Sequence, residues 1–180
     1  MRIPVEVAVL SVEQQAYLRQ YRRLWLTDID LEESRASITE IFRRDLRRGS
    51  THRPTPLLQS LTTALIVSYS RPFVMSRGDT SFADRTVPGS LLRVFTSGER
   101  ALHDILIEMR NREVAHTDAE VTQFSLELFP AGHGGICRVT RDPLPRPQLR
   151  QLLKMIGKLG DELNLRFEEL RNRLPHNVWL

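Results

Sequence analysis

The sequence predicts an all-α fold, a helical bundle of about five helices with a small β-hairpin inserted before the last helix. Three observations lead there. Apolar residues recur at helical intervals through the first fifty positions. The stretch from Leu57 to Tyr69 is apolar on most sides, as a helix central to a bundle must be. A single stripe of Leu149, Leu152, Leu153, Ile156, Leu159, Leu163, Phe167 and Leu170 marks a long helix beginning at Gln148. At 180 residues, with no internal repeat or low-complexity tract, the chain suits one domain over residues 1–180.

Taken in order, Val12 to Leu26 places Ala16, Tyr17, Tyr21, Leu24 and Trp25 on one face of a first helix. Thr27 followed by Asp30 has the [ST]-x-x-[DE] form of a capping box and predicts a second helix to about Arg48, with Leu31, Ile38, Ile41, Phe42 and Leu46 inward. Asp28, Asp30, Glu32 and Glu33 then fall in a first helical turn, where the helix dipole favours carboxylates without any metal. GSTHRPTP, residues 49–56, is a break, and Pro72 ends the third helix. Residues 73–90 have no sustained period and read as a long surface loop. After a short turn at 91–95, Thr96 or Ser97 caps a helix that sends Leu102, Ile105, Leu106 and Met109 toward the core. Alternation in FSLELF, the turn PAGHGG and then ICRVTR predict the hairpin, and Pro143, Pro145 and Pro147 form a stiff connector to the last helix.

Composition narrows the function classes. A lone Cys137 rules out an intrachain disulfide framework, and no Cys/His set has zinc-finger spacing, which fits a reducing compartment. The apolar run in MRIPVEVAVLSVEQQ is too short for a secretory core, and no segment approaches a membrane span, so a cytoplasmic chain without membrane association is expected. The formal charge of +4 comes from 24 Arg and 2 Lys against 22 acidic residues. Arginine favours bidentate grip on phosphate, and RRDLRRGSTHR at 43–53 is the densest basic run, readable as a solvated helix end or a nucleic-acid contact. No dinucleotide fingerprint, HExxH, G-x-S-x-G or P-loop is present; the Gly-flanked His133 reads as a hairpin turn, and no cofactor is expected.

One stretch carries chemistry. MRNREVAHTD, residues 109–118, sets Arg110, Asn111, Arg112, His116 and Asp118 behind an apolar helical run. An Arg followed after four to six positions by His also occurs at Arg47/His52, across a Gly-Ser-Thr break, and at Arg171/His176, where Pro175 removes a helical donor. Only the pair Arg110 and His116 follows a strong amphipathic helix and keeps Val-Ala before the His. That wording resembles the signature of the HEPN superfamily, an Arg with a polar neighbour such as Asn and then His.

The resemblance covers Leu57 to Asp118 and, more loosely, the bundle order. It implies an α-helical domain that is often a homodimer and, in many members, a metal-independent endoribonuclease of toxin or antiphage systems; others are binding modules without catalysis. On that basis His116 is the expected base for an RNA 2′-hydroxyl, Arg110 the stabiliser of the phosphate and Asn111 an orienting group, with no metal required. RNA, a second copy of the chain and a cognate antitoxin protein are the implied partners.

Geometry constrains this reading. On a regular helix Arg110 and His116 sit about 120° apart, so they converge only if the helix frays, if the long Arg wraps round, or if two copies meet across a two-fold interface. Arg112 adds a phosphate contact or pairs with Glu108 or Asp118, and Arg71 faces the same cleft or satisfies helix-end carbonyls. His103 reads as a core-edge packing residue. A basic DNA-binding protein is the third class, but no helix-turn-helix is recognisable.

Overall fold

The computed structural model describes residues 10–46, 54–75, 80–114, 123–128, 135–140 and 144–175. It is mostly helical: α1 (Val12–Arg43), α2 (Pro56–Ser70), α3 (Ser97–Met109) and α4 (Arg146–Arg173), with 3-10 segments at Arg71–Phe73 and Gly89–Val94. Between α3 and α4 in sequence, β1 (Gln123–Leu128) and β2 (Gly135–Thr140) pair antiparallel, Gln123 opposite Thr140 and Leu128 opposite Gly135. His133 and its turn lie outside the described residues.

The two helices expected over residues 12–48 are one. Ser11 caps α1, its Oγ accepting from the Gln14 N–H at 3.1 Å while Gln14 Oε1 accepts from the Ser11 N–H at 3.0 Å. Thr27, read from sequence as a cap, is fully buried in mid-helix, and its hydroxyl donates to the Arg23 carbonyl at 2.8 Å. A Thr hydroxyl can bond forward to a free N–H or backward to the preceding turn, and tertiary burial selects the second. The acidic group at 28–33 therefore belongs to the middle of a helix. Leu24, Leu31, Ile38 and Ile41 face the core with small Thr27, Ser34 and Ser37 between them. These short side chains let α2 come close enough for Ser34 Oγ to donate to the Leu65 carbonyl at 3.2 Å. Trp25, placed on the apolar face by periodicity, is 52 % exposed.

α1 ends five residues before the expected point. Asp45 adopts a left-handed φ of 48°, the Leu46 N–H bonds back to the Ile41 carbonyl and the Asp45 N–H to that of Phe42, so a Schellman motif closes the helix before Gly49 is reached. Asp45 also receives Arg146 Nη1 at 2.6 Å, fastening this corner to the start of α4. Arg43 donates twice to Glu40 at 2.7 Å at this exposed end of the helix.

Leu65 and Tyr69 of α2, Leu106 of α3, and Leu152, Ile156 and Leu159 of α4 are fully enclosed. The segment after Pro72 is less superficial than its composition suggests: the Val87 N–H donates to the Pro72 carbonyl at 3.1 Å, and Ala83, Val87 and Leu91 are buried. Three apolar side chains suffice to draw the chain back onto the bundle.

Thr96 and Glu99 form the capping box of α3, at 3.3 Å and 2.8 Å, and Glu99 takes Lys158 Nζ of α4 at 2.8 Å on each oxygen. The Lys158 hydrogen bond first, then the Thr96 backbone, holds the Glu99 carboxyl below its ordinary 4.5. A depressed carboxyl stabilises the fold above its ordinary value and loses that contribution as pH falls through the folded one. Glu99→Gln is accordingly expected to lower Tm at pH 7, with the gap to wild type narrowing toward pH 3 in thermal melts.

Candidate functional site

α3 delivers the Arg110 motif, and the helix widens as it does so. Arg110–Val114 form a π turn, whose i→i+5 spacing departs from the regular angular step; such turns concentrate at functional sites. Arg110 is half-buried and its Nη1 donates to Asn111 Oδ1 at 2.9 Å. Among the described residues no carboxylate pairs with it. Arg112 pairs with Glu108 at 3.1 Å, which settles one of its expected partners. His116 lies outside the described residues, so the expected convergence of Arg110 and His116 does too.

Arg71 is committed elsewhere. Its Nη1 lies 3.0 Å from Asp30 Oδ1 and 2.9 Å from Glu33 Oε2 on α1, while its carbonyl accepts Arg23 Nη2 at 2.9 Å. Burial holds the Asp30 carboxyl above its ordinary range even against the Arg71 hydrogen bond, and that same bond is the main reason the Arg71 guanidinium is pushed up. Of the four carboxylates expected to serve a helix dipole, Asp30 and Glu33 thus serve this guanidinium, while Glu32 lies 3.5 Å from Arg35. No group of metal-ligating side chains occurs among the described residues.

Beside the motif runs an open groove of about 550 Å³, within the size range of small-ligand sites. Asn111 and Arg112 line one end; Arg110 and Arg71 are not among its walls. Phe73, Val87, Leu92 and Ile107 give it apolar surface, and Thr86, His103, Asp104 and Glu108 supply polar groups. Two rows running from α3 into the π turn, His103–Ile107–Asn111 and Asp104–Glu108–Arg112, repeat every four residues along it. Sequence reading took His103 as a core-edge packing residue and did not single out Asp104, although that spacing was legible.

His103 is 5 % exposed and sits among aromatic rings, with Phe73 edge-on at 4.7 Å and Tyr69 at 5.8 Å between centroids. Its Nδ1 lies 3.0 Å from the Tyr69 hydroxyl. Burial lowers the imidazole below its ordinary 6.5, with Asp104 opposing and Arg100 reinforcing the shift, so the ring is neutral at pH 7. Burial also pushes the Tyr69 phenol far up, keeping its proton in place.

No helix among the described residues is long and apolar enough to cross a membrane. No family model, curated protein or solved structure matches the chain.

Proposed function

We propose that the chain is a HEPN-like, metal-independent endoribonuclease, a helical unit with a hairpin appendage, acting as a homodimer in a toxin or antiphage system under the control of an antitoxin protein. One observation carries the reading. Arg110, hydrogen-bonded to Asn111 and without a carboxylate partner among the described residues, stands on a widened turn beside a groove of nucleotide dimensions.

His116 takes the proton of an RNA 2′-hydroxyl, the freed oxygen attacks the adjacent phosphorus, and the 5′-oxygen departs with a proton from solvent. A 2′,3′-cyclic phosphate remains on one fragment. Arg110 keeps its charge throughout and stabilises the anionic phosphorane, while Asn111 fixes the guanidinium. DNA, lacking the attacking hydroxyl, is spared.

The test is a gel of mixed RNA and the matching DNA incubated with purified protein in EDTA between pH 6 and pH 8. Cyclic-phosphate fragments from RNA alone are the expected result. Intact RNA across that range removes the nuclease reading, and RNA retention without cutting leaves a non-catalytic binding module.

A further inference from the structure

Only one nitrogen of His103 is used by the core. Nδ1 meets the Tyr69 hydroxyl, while Nε2 has no hydrogen-bond partner among the described residues, and His103 is a wall of the groove. The direction of the Tyr69 bond follows from burial. Tyr69 is fully enclosed and its hydroxyl has no other acceptor among the described residues, so donating to Nδ1 is what keeps its proton paired. Nδ1 then accepts, and the neutral ring carries its own proton on Nε2, the ring nitrogen without a partner among the described residues, in a side chain that lines the groove.

Next to it, Asp104 is exposed and lines the same groove, and its carboxylate makes no hydrogen bond or salt bridge with another described residue. Glu108 pairs with Arg112 one turn on at 3.1 Å. Arg100, one turn before Asp104, donates to the carbonyl of the wall residue Leu92 at 2.9 Å, so cations and carboxylates alternate along the groove, and its apolar walls with the Asp104 acceptor suit a flat, uncharged, donor-rich group.

The geometry points to a base-recognition subsite: the groove takes the guanine next to the scissile phosphate, with His103 Nε2 donating to O6 and the Asp104 carboxylate accepting from N1–H and the N2 amino group. This rests on the ribonuclease reading, in which the phosphate itself lies outside the groove at Arg110. Guanine alone presents an acceptor followed by two donors along that edge. Adenine sets a donor against His103 and an acceptor against Asp104, and the two pyrimidines each oppose at least one acceptor to the carboxylate.

Calorimetric titration of the full chain with the 3′-monophosphates of the four ribonucleosides tests this directly. Guanosine monophosphate is expected to bind about tenfold more tightly than the other three, the discrimination a bidentate base contact gives. In Asp104→Asn, an isosteric change at an exposed site, the four are expected to bind alike. Equal affinities in the wild type, no binding at all, or a guanine preference that survives Asp104→Asn would each overturn the subsite. The readout needs no catalysis, so the two readings fail separately: a chain that selects guanosine but never cuts RNA keeps the subsite and loses the nuclease. A chain that cuts every dinucleotide step equally does the reverse.

Discussion

His116→Ala is expected to slow single-turnover RNA cleavage by about 10²- to 10⁴-fold, the usual contribution of a positioned general base. Arg110→Ala is expected to cost about 10²- to 10³-fold, comparable to removing one donor from an oxyanion site. Arg110→Lys should recover only part of the loss, because a point ammonium cannot hold two phosphate oxygens in the planar fork of a guanidinium. Folding is not at stake in the Arg110 variants. The side chain is half-buried at a helix end, and its described hydrogen bond is to its neighbour Asn111, so thermal melts should match wild type. Cutting at wild-type rates by either alanine variant would remove both residues from the chemistry.

Thr27→Pro is expected to destabilise the protein by about 3 kcal/mol or more. For a chain of this length that corresponds to a fall in Tm of roughly 6–12 °C. Thr27 sits midway along the 32 residues of α1, where proline removes an N–H from the helical ladder and drives its ring into the carbonyl of Arg23, the group that now accepts the Thr27 hydroxyl. A helix start at Thr27 would respond differently, since the N–H groups of a first turn have no intrahelical acceptor to lose. A Tm within about 2 °C of wild type, less than 1 kcal/mol for a chain this long, would therefore split α1 in two.

The Thr27 case shows where local reading stops. Thr96 with Glu99 and Thr27 with Asp30 have the same spacing, yet only the first pair forms a capping box, as Glu99 returns to the Thr96 N–H whereas Asp30 turns to Arg71. The stripe of α4 was legible because its buried positions are long aliphatic side chains at regular intervals. That of α1 was obscured by Thr27, Ser34 and Ser37, hydroxyl residues whose burial is paid back only through bonds to carbonyls. Arg110, Asn111 and Arg112 were legible as a candidate site by their order in the chain. His103 was read as a packing residue, and the structure seats it among aromatic rings; that it also walls a groove depends on Phe73, Val87 and Leu92, which local sequence does not show.

By itself the sequence determined the helical class, the start of α3 to within one residue and the inward stripe of α4, since each depends on residues within about one or two turns of one another. Tertiary structure decided the continuity of α1, the capture of Arg71 by carboxylates some forty positions earlier, and the wall of Phe73, Val87 and Leu92 that turns one face of α3 into a groove. The physical reason is the same in each case. A side chain with several possible hydrogen-bond or packing partners takes the one that burial brings to it, and burial is a property of the assembled bundle.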